Sequence, residues 1–368
     1  MELSVYIHIP FCKSKCFYCD FLSFDKKERD FFDYTEALTK EIKAFDFTKY
    51  QVKTIFLGGG TPTVLPPLFL CRILEAFPAK SIQEATEITI EANPATVNLE
   101  SLKMLKAAGV NRLSLGLQAW QDRLLKKLGR IHTQKEFLQT YEQAQQAGFD
   151  NISVDLMFGL PEQSLFDLQE TLTEVIKLKP KHISLYSLIL EEGTKFFEMY
   201  DEIEEELDRE MYEKSMQQLK DSGYNKYEVS NFSKIGFESI HNTAYWQRKE
   251  YIGFGLTAHS FLNGERFSNS EDYEKYIINP CNAKENVQSL SIKDSMEEFI
   301  FLGLRMSDGI SISEFEKCFG QTIFSVYPAQ IENFVSQNLL KKENDRIFLT
   351  ESGFSVSNRV FTEFLLES

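Results

Sequence analysis

Six short β-branched runs occupy the first two-thirds of the 368-residue chain, each ending in glycine or polar residues and each followed by an amphipathic helical stretch. The runs fall at 3–9, 52–60, 87–94, 112–118, 152–161 and 182–190, with stretches such as YTEALTKEIKAF, LESLKMLKAAG and LFDLQETLTEVIKL between them. Period-2 runs alternating with period-3.6 segments mean strands and helices in turn. Strands linked through helices pair in parallel by right-handed crossovers. Gly109, Gly148 and Gly223 follow LKAA, AQQA and LKDS, where a helix stop favours glycine. The expected fold is α/β, an incomplete (β/α)6-type TIM-like barrel. An open doubly wound sheet would give the same alternation.

The reactive side chains gather where such a fold would bring them together. A cysteine-rich loop follows the first run, and Gly58, Gly59, Gly60 and Thr61 follow the second. Glu91 ends the third run, Gln118 ends the fourth, and Asp155 lies late in the fifth. Carboxyl-terminal ends of parallel barrel strands share one face, the face that carries chemistry in barrel enzymes. GGGTPT alone reads as a tight turn or as a backbone cradle for an anion. No Gly-Lys-Ser/Thr follows, so it is not a P-loop.

The loop IPFCKSKCFYCDFLSF holds three of the six cysteines, Cys12, Cys16 and Cys19. A structural zinc wants a fourth ligand. His8 is close, but it lies in the strand before the loop and suits that place poorly. A disulfide with a spare thiol suits a reducing compartment poorly. A cubane iron–sulfur cluster uses three thiolates and leaves one iron open, as catalysis requires. The C-x-x-x-C-x-x-C spacing favours this third reading.

A net charge of −15 argues against a general nucleic-acid binder. The opening MELSVYIHIP lacks a basic segment followed by a long apolar one, and no later stretch suits a bilayer span. The expectation is a cytoplasmic chain without a transmembrane segment, which leaves room for transient contact with a membrane protein.

CKSKCFYC and GGGTPT resemble the radical S-adenosylmethionine superfamily. YIHIPFC, GGGTPT, IEANP, NRLSLGLQ, VDLMFGLP and HNTAYW together resemble the oxygen-independent coproporphyrinogen III oxidases and their relatives, nearest the HemW-type haem chaperones. The resemblance implies a 4Fe–4S cluster on Cys12, Cys16 and Cys19, with S-adenosylmethionine on the open iron. It implies that Tyr6, the backbone of Tyr18, Gly59, Gly60, Thr61 and Glu91 border that cofactor. Gln118, Arg130 and Asp155 match residues that hold a second S-adenosylmethionine in the oxidases. The oxidases carry another cysteine two positions after the third, where this chain has Phe21, and an extension before the first strand. Both departures match the HemW type. The implied function is to bind haem and pass it to apo-haemoproteins, with the oxidase as the alternative.

Five histidines are available as haem ligands. His132 and His182 read as hydrogen-bonded structural residues, and His259 lies in a glycine-punctuated run. His241 opens HNTAYW, beside the flat faces of Tyr245 and Trp246, and is the candidate for haem contact; Cys281 stands behind it. The acidic run 201–210 reads as a solvated connector and helix start. Past residue 291, three helical patterns, a short hairpin and a last helix to Leu366 suggest a winged-helix-like module. Its twelve acidic and seven basic residues do not suit DNA. The expected division is 1–233 for the barrel, 234–290 for a connector bearing HNTAYW, and 291–368 for the C-terminal module.

Overall fold

The computed structural model describes residues 1–24, 28–200 and 204–365. Part of the acidic run and the end of the expected last helix lie outside them. Six parallel strands form the centre: β1 (Glu2–Ile9), β2 (Gln51–Gly59), β3 (Glu87–Ala92), β4 (Arg112–Gln118), β5 (Asn151–Phe158) and β6 (His182–Ser187). They pair in sequential order. A doubly wound sheet reverses its strand order at a switch point, and this one does not. β1 and β6 do not pair with each other, so the barrel stays open.

Strand parity separates core from lumen. Val5, Ile7, Ile55, Leu57, Ile88, Ile90, Leu113, Leu115, Val154 and Ile183 are buried in the main apolar core. Burying such a side chain contributes roughly 1.5–3 kcal/mol. The alternate positions are Tyr6, His8, Phe56, Thr89, Glu91, Arg112, Ser114, Ser153, Asp155, His182 and Ser184, and they fall on the opposite face. Barrels packed solid through their axis fill it with branched apolar residues. This one fills it with polar groups, which suits a ligand.

The helices between these strands end as their glycines indicate. Gly109, Gly148 and Gly223 have φ of +106°, +90° and +73°, a left-handed conformation that glycine enters without a Cβ penalty.

The expected connector is part of the same sheet. Within the expected barrel region, β7 (Asn225–Lys226) and β8 (Asn231–Ser233) lie beyond β6, with β8 antiparallel to it. On the other side β9 (Tyr251–Phe254) joins β1 in parallel, followed by β10 (His259–Leu262), β11 (Glu265–Asn269) and β12 (Lys284–Ser289). The stretch 234–290 therefore widens the barrel sheet and shares its core through Phe254 and Tyr276.

The C-terminal region has its own core, including Met296, Ile300, Phe315, Tyr327, Phe334 and Phe364. Helices Ile292–Gly303, Ile312–Phe319 and Pro328–Ser336 pack with a small sheet of β13 (Ile310–Ser311), β14 (Leu340–Glu343) and β15 (Arg346–Leu349). Three helices and a β-wing match the expected module.

Candidate functional site: a polar cavity beneath the cysteine loop

A cavity of about 630 Å³ opens at the carboxyl-terminal ends of the central strands. Its wall includes Cys12, Cys16, Cys19, Tyr6, Tyr18, Gly59, Gly60, Thr61, Glu91, Gln118, Arg130, Asp155 and His241. The residues implied for the cluster and cofactor, together with His241, thus meet in one space.

The cysteine loop is pinned at both ends. Phe24 donates its N–H to the Pro10 carbonyl (2.8 Å), and Cys12 donates to the Phe24 carbonyl (3.2 Å). Phe17 N–H reaches the Leu128 carbonyl (3.0 Å), and Phe196 N–H reaches that of Phe17 (2.9 Å). Between these anchors the thiols are unoxidised and half-buried. Cys12 Sγ is 3.6 Å from Thr61 Oγ1, and Arg130 Nη1 is 3.6 Å from Cys16 Sγ. Burial pushes the Cys12 thiol up and the Cys19 thiol to about 11.

Glycine shapes the opposing wall. Gly59 has φ +110°, and a Cβ there would lie 2.6 Å from the His8 ring. A Cβ on Gly60 would lie 2.7 Å from the Phe11 carbonyl oxygen. Gly60 and Thr61 N–H groups instead reach Ile9 and Phe11 carbonyls at 2.9 and 2.7 Å, holding β2 against the cysteine loop. A side chain at either position would push the two apart.

Deeper in the cavity, Glu91 accepts from Gly59 N–H (3.2 Å). Burial, with Asp155 adding to it, pushes its carboxyl up to about 8. Asp155 accepts from Ser114 Oγ (2.9 Å) and Ser153 Oγ (3.2 Å), and burial raises its pKa despite them. Arg130 donates to the Gly116 carbonyl (2.7 Å) and to Asn93 Oδ1, tying the cysteine loop to β3 and β4. Gln118 has φ +72°, a conformation unusual for a residue with a Cβ and concentrated at functional positions.

The floor is the helix Ile240–Trp246, which carries HNTAYW. Glu87 accepts from its first N–H groups, Ile240 (3.0 Å) and His241 (3.1 Å), and from Ser239 Oγ (3.5 Å). His241 is 1% exposed. Its Nδ1 pairs with Thr54 Oγ1 (2.8 Å), its Nε2 with the Tyr245 hydroxyl (2.9 Å), and its ring stacks on Phe56 at 4.9 Å. Burial pushes its pKa down to about 3, so the ring is neutral.

The other histidines lie apart from a ligand role. His182 bonds Ser153 Oγ and the Tyr227 hydroxyl, each at 2.8 Å, as its structural reading requires. His132 is buried, and burial with Arg130 adding to it pushes its pKa down to about 3 against a backbone contact with Leu117. His259 and Cys281 are exposed, and neither lines the cavity.

Sequence reasoning missed Asn93, Arg112, Ser114 and Tyr186, which also line the wall. Parity held the signal: Arg112, Ser114 and Gly116 share a strand face that points inward. Arg112 is only 2% exposed, and its Nε has no partner among the described residues.

Comparison with known proteins agrees with this architecture. Residues 6–175 match the radical SAM superfamily, and residues 290–356 match the HemN C-terminal domain. The solved Escherichia coli coproporphyrinogen III oxidase (HemN), a radical SAM enzyme, superimposes with a TM-score of 0.84 over 99% of this chain and 90% of its own. Its 22% identity speaks for the fold alone. The heme chaperone HemW of Lactococcus lactis is 39% identical over 99% of this chain and 97% of its own. That of Bacillus subtilis is 37% identical over 99% of both, and that of E. coli 33% over 99% and 98%. With identity of this level running the length of both partners, the chain belongs to the HemW family of the radical SAM superfamily.

Proposed function

We propose that this protein binds haem and hands it to apo-haemoproteins, on a barrel whose cysteine loop carries a 4Fe–4S cluster and whose cavity takes S-adenosylmethionine. The observation that carries the reading is the single cavity uniting three free thiols, the glycine wall and the buried carboxylates. Relatives named heme chaperone supply the cargo.

The donor set fits a cluster. Among the described residues no three His, Cys, Asp or Glu side chains converge as a single metal ion's shell demands. A cubane spreads its thiolates over different irons and needs no such convergence, so Cys12, Cys16 and Cys19 suit it better than they suit zinc. When bound, the cluster supplies a redox-active iron with an open coordination position. The protein's own groups do the rest. Gly59, Gly60 and Thr61 give a ligand close access to the backbone, beside Tyr6 and the Tyr18 backbone. Glu91 awaits a cation: its raised pKa keeps it largely protonated at neutral pH, and a neighbouring positive charge draws the proton off. Gln118, Arg130 and Asp155 form a second polar set for a second cofactor molecule.

His241 enters the reading with a condition. Its Nε2 can meet iron only after the Tyr245 hydroxyl withdraws. Until then His241 belongs to the floor.

The test is an anaerobic haem titration of the cluster-reconstituted protein, followed at the Soret band with and without coproporphyrinogen III. A saturable band that coproporphyrinogen does not displace is expected. Ready displacement, with loss of carboxyl groups from the added porphyrinogen, would return the oxidase alternative.

A further inference from the structure

The cavity is polar inside, yet its lip is not. Phe21, Tyr186 and Ile189 line it while remaining 60%, 40% and 64% exposed. They come from two places. Phe21 lies in the loop after β1, and Tyr186 and Ile189 belong to the end of β6 and the segment after it. β1 and β6 are the first and last of the six parallel strands, so the lip draws on both ends of the central sheet. Large apolar groups exposed together around a polar opening mark a place where an apolar surface is received.

Charge narrows the occupant. Lys13 and Lys15 project from the same loop, between Cys12 and Cys16. Both are exposed, and among the described residues neither has an ion pair. Lys15 lines the cavity alongside Asp20 and Glu191. An occupant with flat apolar faces and a carboxylate edge would lay the faces on Phe21, Tyr186 and Ile189. It would turn its carboxylates to Lys15 and away from the two acids. A cavity of about 630 Å³ is within the range of about 300–1,000 Å³ that holds small ligands and cofactors.

We propose that this lip is the haem seat, gripping the porphyrin faces with Phe21, Tyr186 and Ile189 and its propionates with Lys15. The inference rests on haem as the cargo. It gives the macrocycle a place that does not require His241 to leave its hydrogen bonds. It also gives a use to Phe21, at the position where the resembled oxidases have a cysteine.

The full-length, cluster-reconstituted protein tests it. A Phe21→Ser/Ile189→Ser double variant changes only side chains that are already exposed. It should weaken haem binding at least tenfold by Soret titration, while iron content and S-adenosylmethionine retention in equilibrium dialysis stay at the unsubstituted level. Lys15→Ala should weaken haem binding several-fold and flatten its salt dependence. Iron-free protoporphyrin IX has the same faces and carboxylates but no metal to ligate, and should compete with haem. Unchanged haem affinity in the double variant overturns the lip but leaves the carrier reading standing. So does failure of protoporphyrin to compete. Absence of any saturable band in the unsubstituted protein overturns the carrier reading and the lip with it.

Discussion

At the cavity floor, His241 spends both ring nitrogens on protein hydroxyls and Glu87 takes two helix N–H groups. At the mouth, Cys12 Sγ lies 3.6 Å from Thr61 Oγ1 and Cys16 Sγ lies 3.6 Å from Arg130 Nη1, long contacts made by weakly bonding sulfur. Both regions are rich in groups that bind metals or cofactors, and the difference lies in what those groups already hold. A buried polar atom without a partner costs about 1–3 kcal/mol. His241 and Glu87, with their bonds made, therefore stabilise the floor, and thiols held by weak sulfur contacts at the mouth are ready for a ligand. Residue type alone makes His241 and Cys16 equal candidates. Their partners separate them.

The largest expected effect falls at the mouth. Cys16→Ala should reduce iron and acid-labile sulfide after anaerobic reconstitution to near background, with little change in thermal stability of the apo-protein. Retained iron would show that the mouth does not hold a three-thiolate cluster, and the contrast with the floor would fail.

Glu91, between the two regions, gives an effect of intermediate size. Its folded pKa of about 8 lies above the ordinary carboxyl value. The unfolded chain therefore loses this proton first, and the group costs stability progressively as pH rises from about 4.5 to 8. A cationic ligand that needs the carboxylate gains affinity across the upper end of that window. S-adenosylmethionine binding should strengthen about tenfold from pH 7 to 9, following the ionised fraction of a group near 8. Glu91→Gln should remove that dependence. A pH-independent affinity in the unsubstituted protein would place the cofactor's charge elsewhere.

Much of this contrast could be read from the sequence, and the unread part has physical reasons. The β-branched runs marked the six strands and the polar groups at their carboxyl ends. Each strand buries one face under helices and turns the other inward, and the inward parity of Arg112 and Ser114 went unread. Helix-ending glycines stood where the structure needs positive φ. The stretch 234–290 read as a connector because its outer strands carry little alternation. β12 is KENVQS, exposed at almost every position, and a strand solvated on both faces leaves no period-2 signal. The pairing of His241 was out of reach for another reason. Thr54 lies 187 residues away in sequence, and parity on β2 says which way it points but not what it meets.

The smallest effect is the one that most sharpens the comparison. Tyr245→Phe removes the hydroxyl from His241 Nε2 and leaves the Thr54 bond in place. Losing one such hydrogen bond costs about 1 kcal/mol, which in a chain of this size lowers Tm by only a few degrees. If His241 serves the floor alone, haem affinity should stay within about twofold of the unsubstituted protein and the iron spectrum should not change. If it is an axial ligand held in reserve, freeing Nε2 should tighten haem binding and shift the Soret band towards a histidine-ligated form. His241→Ala would then reverse both changes. Should the floor variant leave haem binding untouched while the Phe21→Ser/Ile189→Ser variant weakens it, the ligand-binding end of the cavity is its mouth, and HNTAYW supports the cavity from below.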